Sequence, residues 1–519
     1  MFGRVFSAVL EGIDSRIIQV EADVSSGLPY FDMVGYLSCE VREARERVRT
    51  AIRNSGCRLE ARKIVVNLSP ADIRKSGSLY DLAIAAAVLS AYGVLPQNAL
   101  EETLIIGELS LNGEVRSIRG ALPILLMMKR LGIRRCILPA ENAFEGAQIP
   151  EVETYGVSTL QEMIGFLTGK CALKPVSEAE QIPSPQGIGI DFSDIIGQES
   201  LRRSMEVAAA GMHNVLMIGP PGAGKSMAAR RVPTILPPLD EEESMEVSEI
   251  YSVSGLLSPS EGLIRQRPFR NPHHTITPAA LIGGGRNPEP GEISLAHNGV
   301  LFLDEMTLFN EGTLELLRQP MDDGKILISR STGSLTFPAQ FMLIAAMNPC
   351  RCGYYPDRSQ CRCTPLQIRR YLDRISRPLL DRIDITVEAQ RVDPDEIISY
   401  DTSKGGHEPE SSAQIRERVM QAHAIQKKRF EGRSYHYNSK ISDSDINEFC
   451  RLGVRESILM NILYNRFNLS ARSYRKVLKV ARTIADLDGS PDIREKHLSE
   501  AAFYKSIDNK YYGGMDGEL

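Results

Sequence analysis

A chain of 519 residues has room for roughly two to four domains, and 42% hydrophobic with 24% charged residues is the composition of an ordinary folded protein. A net charge of −5 excludes a global basic field, so any nucleic-acid contact must come from a local patch or channel. Met1–Phe6 lacks the apolar core of a signal peptide, and the longest apolar run, Leu82–Leu89, is too short to span a bilayer. A cytoplasmic protein without membrane contact is expected, its nine cysteines reduced or metal-bound rather than disulfide-paired.

Two polar stretches, 171–190 and 401–412, read as linkers and divide the chain into blocks at 1–170, 191–400 and 413–510. The first block is α+β. Strands are expected at Ile17–Val24, Lys63–Leu68, Leu104–Gly107 and Arg135–Leu138. A charged amphipathic helix is expected over Glu40–Ser55, and a buried helix over Asp81–Leu89.

The second block opens on the apolar strand Val215–Ile218. Next comes Gly219-Pro220-Pro221-Gly222-Ala223-Gly224-Lys225-Ser226, a complete G-x-x-x-x-G-K-[ST] loop, and then a helix from Met227. In that strand–loop–helix context the glycines let backbone N–H groups close around phosphate oxygens. Lys225 is expected on the β- and γ-phosphates and Ser226 on Mg²⁺. Val300–Leu303 is a buried-strand pattern ending in Asp304-Glu305, with Asp304 placed for the Mg²⁺ shell and Glu305 to orient the attacking water. Phe341–Met347 is another buried strand, and it ends in Asn348, which a neighbouring position would set between the γ-phosphate and the water. Together these imply binding and hydrolysis of a nucleoside triphosphate on a parallel sheet covered on both faces.

Two further features lie inside this block. Lys325–Pro338 reads as two strands around Thr332-Gly333, a hairpin in which Lys325 and Arg330 are candidate phosphate contacts. Cys350-x-Cys352 and Cys361-x-Cys363 put four thiols in one short loop, a donor set suited to structural Zn²⁺. His273 and His274 are read as adjacent strand residues pointing oppositely, which argues against shared ligation. The third block is helical: Asp443 or Ser444 is expected to cap a helix through Cys450, and Ser470 to cap Ala471–Leu487.

The order of these parts resembles an AAA+ ATPase, and within it the helix-2-insert, pre-sensor-1-hairpin clade of magnesium chelatase motors and MCM helicases. It is most similar to the ComM/YifB family. The resemblance is carried by Phe269–Thr275, Gly283-Gly284-Gly285, Pro290–His297, Leu317-Arg318-Gln319-Pro320 and Leu379–Asp384. It implies that Gly197 and Gln198 contact the adenine side, that Asn348 is sensor 1 and that Arg472 is sensor 2 in a helical lid. It also implies that Arg382 is an arginine finger acting on the neighbouring subunit's ATP, with Arg374 and Arg377 as rivals. A finger in trans implies a homo-oligomeric ring, usually hexameric. The hairpin is implied to project into the ring channel and grip DNA. The first block resembles a Lon-type protease domain in Leu109–Val115, Arg119-Gly120 and Cys136–Asn142. It lacks the protease's nucleophile context, and Ser76 and Ser78 have no evident activating base. The expected function is therefore a ring-forming ATP- and Mg²⁺-dependent motor of the helicase or branch-migration type. A chelatase-type motor that remodels a protein or inserts metal is the alternative.

Overall fold

The computed structural model describes residues 1–177, 189–258, 262–285, 288–330, 333–391 and 410–512. The N-terminal block is a mixed seven-stranded sheet. Its strands lie in the order Tyr30–Val34, Lys63–Ser69, Asp14–Ser25, Phe2–Glu11, Thr103–Ile105, Arg135–Pro139 and Glu153–Val157. The helix Asp81–Ala91 is buried at every position. Its run of alanines lets the sheet approach closely: a Cβ on Gly3 would lie 2.4 Å from the Ala87 carbonyl oxygen. Asp81 at its first turn accepts from the Arg47 guanidinium at 2.8 and 3.0 Å, which pins the amphipathic helix Cys39–Asn54 against it.

The second block holds a five-stranded, all-parallel sheet in the order Phe269–Arg270, Gly299–Leu303, Phe341–Met347, Val215–Ile218 and Ile385–Glu388. Three central strands are buried at every residue, as continuous apolar runs must be when helices cover both faces. The C-terminal block is helical and shares a core with this sheet. Helix Ser412–Arg429 lies along Glu199–Gly211, with Gln426 Nε2 donating to the Ala210 carbonyl at 2.7 Å. Helix Glu495–Tyr512 covers the edge strand Ile385–Glu388, where Glu388 accepts from Lys510 at 2.6 Å and Tyr511 at 2.5 Å.

Several expectations change. The first strand, Phe2–Glu11, goes unread because small residues such as Gly3 and Ser7 lie on its buried face. Residues 171–177 are not free linker: Leu173 and Val176 pack on the N-terminal core, and Val176 N–H donates to the Thr154 carbonyl at 2.9 Å. Residues 178–188 and 401–409 lie outside the described residues. Ser412 opens a helix. Its N–H donates to Asp191 Oδ1 at 3.0 Å, and its hydroxyl accepts from Phe192 N–H at 2.7 Å. The helix before Cys450 shrinks to Ile446–Phe449 with Asp445 at its N-cap, whereas the Ser470 cap of Ala471–Leu487 forms, its hydroxyl accepting from Ser473 N–H at 3.1 Å. His273 and His274 lie beyond the short Phe269–Arg270 strand, in a turn. The alternation of a strand does not apply there, and their rings face each other at 4.1 Å.

The N-terminal and ATPase blocks are joined by buried polar contacts. Glu145 accepts from the Ser252 hydroxyl at 2.5 Å, and Gly120 N–H donates to the Ser252 carbonyl at 3.0 Å. The hairpin base also meets the turn between the first two strands, where a Cβ on Gly12 would lie 3.5 Å from the Phe337 ring.

Candidate active site

Parallel strands present their carboxyl ends along one edge, so Gly219, Asp304 and Asn348 converge without any long-range design in the loops. Phe341–Met347 lies between the other two strands, which sets Asn348 between the loop and the acidic pair. A Cβ on Gly219 would lie 2.2 Å from the Ala389 carbonyl oxygen, so glycine is required where the loop leaves the sheet. Gly222 and Gly224 have φ of +77° and +76°, the left-handed turn that feeds the helix Lys225–Ile235.

Lys225 Nζ donates to the Gly219 carbonyl at 2.7 Å, the Pro220 carbonyl at 2.8 Å and Asn348 Oδ1 at 3.1 Å. These satisfy all three of its protons. Burial pulls its amine down to about 8, against the opposing pull of Asp304 and Glu305. A cation so desolvated is strongly favoured by a phosphate anion. Ser226 Oγ donates to Asp304 Oδ2 at 2.6 Å, a pair of hard oxygens suited to Mg²⁺. Glu305 sits at φ 51°, ψ 47°, and its N–H donates to Asp304 Oδ1 at 3.0 Å. A non-glycine residue in this region costs about 1 kcal/mol. The turn leaves its carboxylate exposed beside the buried Asp304 strand. Gln198, also left-handed and next to Gly197, donates from Nε2 to the Ala223 carbonyl at 3.4 Å and to the Gln390 carbonyl. It thus ties the loop to the edge of the sheet. Pro221 and Ala223 complete the loop between these anchors. These residues fit a magnesium nucleoside triphosphate.

Arg382 and Arg472 have no hydrogen bond to this cluster. Both guanidinium groups turn to one carboxylate, Asp322: Arg382 through Nη2, and Arg472 through Nη2 at 3.1 Å. Arg374 donates instead to the Thr307 carbonyl at 3.1 Å, and Arg377 begins the short helix Arg377–Leu380. Sequence reasoning missed Asp322. It also missed the buried carboxylate two residues past Arg382. Asp384 receives Asn214 N–H at 3.0 Å and the Lys476 ammonium at 2.8 Å. Burial works against this carboxylate, but Lys476 and His213 outweigh it and hold it far below the usual range. Lys476 lies one helical turn past Arg472, so the pair fastens the helix Ala471–Leu487 to the start of the edge strand Ile385–Glu388. An Asp384→Asn chain, which leaves Lys476 buried without its counter-charge, is expected to lose about 3–5 kcal/mol of stability. Urea unfolding checks this, and a loss under about 1 kcal/mol would refute the assignment.

Lys325 lies at the base of the hairpin, exposed and opposite Pro338, far along the strand from the turn. Arg330 ends that first strand, and its side chain lies outside the described residues. Cys350, Cys352, Cys361 and Cys363 gather their sulfurs within 4.8 Å of one another, an arrangement compatible with a zinc site. In the N-terminal block the Ser78 hydroxyl donates to Glu108, and the buried Lys75 ammonium donates to the Pro70 carbonyl rather than to a serine. Among the described residues no helix is long and apolar enough to cross a membrane.

A parallel sheet with a phosphate loop, an acidic pair and a polar amide on adjacent strand ends defines a P-loop ATPase of the AAA+ class. Residues 191–397 match the family described as magnesium chelatase, subunit ChlI; residues 20–142 match subunit ChlI of Mg-chelatase, and residues 409–505 its C-terminal part. The chain is 43% identical to YifB of Salmonella typhimurium over 96% of each chain. It is 38% identical to the competence protein ComM of Haemophilus influenzae over 97% of each. The magnesium-chelatase 38 kDa subunit of Cereibacter sphaeroides is 28% identical, over 30% of this chain and 52% of that one. The chain belongs to the ComM/YifB family of magnesium-chelatase-like AAA+ ATPases.

Proposed function

We propose that this protein is a ring-forming ATPase motor that acts on DNA, with each ATP site completed by the neighbouring subunit. The observation that carries this reading is the shared carboxylate. Arg382 and Arg472 are held together on Asp322, with no bond to their own chain's Lys225, Ser226, Asp304 or Asn348. Two cations held this way suit delivery to a phosphate on an adjoining chain, Arg382 as finger and Arg472 as the lid's sensor. Mg²⁺, when bound, neutralises the charge that develops on the phosphates. Lys225 binds and orients the triphosphate, Ser226 and Asp304 hold the hard-oxygen positions, and Glu305 accepts the proton of the attacking water. Asn348, bonded to Lys225, is the group that orients the terminal phosphate relative to that water.

The proposal that the substrate is DNA draws on the hairpin, with Lys325 and Arg330 on its first strand, and on the competence link of the Haemophilus relative. Helicase or branch-migration action is the form it takes in a ring, most simply a hexamer, in the cytoplasm. The N-terminal block is proposed as a Lon-like module without proteolysis, since Ser78 meets a carboxylate and Lys75 a carbonyl. The chelatase-type alternative is favoured by the family matches across all three blocks. ATPase rates with branched, single-stranded and double-stranded DNA separate the two. Several-fold stimulation by at least one form is expected, whereas an identical rate with all three and with none would move the substrate to a protein partner.

A further inference from the structure

Beyond the central strand Phe341–Met347 the chain runs from Asn348 through Pro349 directly into Cys350. Sulfur separations are 3.3 Å for Cys350–Cys352, 3.8 Å for Cys350–Cys361 and 3.6 Å for Cys352–Cys361. A disulfide requires about 2.05 Å, so none of these pairs is bonded. Four thiolates around one Zn²⁺ at about 2.3 Å have tetrahedral edges of about 3.8 Å; these three separations lie at or below that edge, and the Cys363 sulfur is within 4.8 Å of the others. Cys350 and Cys361 are buried, and Cys352 and Cys363 half-buried. The loop between them is organised by its own backbone. Gly353 N–H donates to the Cys350 carbonyl at 3.0 Å, and Cys361 N–H donates to the Asp357 carbonyl at 2.8 Å. An all-sulfur tetrahedron selects zinc or iron over the hard cations of the phosphate site.

This loop is seated on the phosphate loop. Gly353 has φ +89°, and a Cβ there would lie 2.4 Å from Pro221 Cδ and 2.9 Å from its Cγ. On its other side, Thr364 caps the helix Pro365–Leu372. Tyr371 of that helix accepts from the Thr307 hydroxyl at 2.7 Å, two residues past Glu305. The cysteine loop therefore touches Pro221, continues from Asn348 and is followed by the helix that supports the acidic turn.

We infer that Cys350, Cys352, Cys361 and Cys363 bind one Zn²⁺ ion, and that the knuckle so formed braces Pro221 and Asn348 in position for the triphosphate. The metal site stands on the cysteines alone; the brace rests on the ATPase reading above.

The full chain, purified under reducing conditions and washed with chelator, is expected to retain about one zinc per chain by elemental analysis. Exchange with Co²⁺ is expected to give the visible absorption of a tetrahedral thiolate site, lost in Cys361→Ser/Cys363→Ser. Folded protein with less than about 0.1 zinc per chain and four freely reactive thiols in this loop overturns the metal site, and stoichiometric iron overturns the choice of zinc. Gly353→Ala tests the brace. Because Gly353 is not a ligand, the variant is expected to keep its zinc yet bind a fluorescent ATP analogue about tenfold more weakly. Retained zinc with unchanged affinity overturns the brace. A parent chain that carries zinc but binds no analogue defeats the brace through the ATPase reading itself, while the metal site stands.

Discussion

A Glu305→Gln chain binds ATP as the parent does and turns it over about 10²- to 10⁴-fold more slowly. Glutamine has the shape of the glutamate and can hold the same left-handed turn, with its N–H still on Asp304. What it cannot do is accept the water's proton. Binding should be untouched because Lys225, Ser226 and the loop glycines are unchanged. Phosphate release and equilibrium binding of ATP measured on the same preparation read the two effects separately. Turnover within about threefold of the parent would remove Glu305 from this role.

An Arg382→Ala chain is expected to bind ATP normally and to lose about 10³-fold in turnover, the scale of an arginine finger. Mixed with a Lys225→Ala chain, it should regain activity that neither has alone. Random assembly of equal amounts joins an intact loop to an intact finger at roughly one interface in four. An arginine acting on its own chain's ATP cannot be rescued this way, since every site would keep one defect. Mixed rings, demonstrated by sizing of differently tagged chains, that hydrolyse no faster than the sum of the two mutants would exclude action in trans by Arg382. Suspicion would then pass to Arg377, because Arg374 is engaged with the Thr307 carbonyl.

The phosphate loop, Asp304-Glu305 and Asn348 were legible because each is a short pattern at the end of an apolar strand. Parallel strands bring such ends together by geometry alone. The four cysteines were legible from spacing within one loop. The rest depended on partners distant in the chain. Asp322 is an unremarkable acid until Arg382 and Arg472, sixty and one hundred and fifty residues away, are folded onto it. Asp384 and Lys476 look like surface charges in sequence, yet their side chains are only 10% and 12% exposed. Composition misjudged Ser412, whose polar neighbours suggest a linker, because its hydroxyl and N–H are consumed by Phe192 and Asp191. The histidine pair was misread for a related reason: a period of two applies only while the strand continues, and this one ends at Arg270.

The Asp191–Ser412 junction has a mechanical meaning. The chain enters the ATPase block at Asp191 and opens the C-terminal helices at Ser412, and these two points are bolted to each other. Two points 221 residues apart in the chain are thereby held as one. A force on the first turn of the C-terminal helices therefore reaches the start of the ATPase block through three hydrogen bonds, without passing along the chain between them.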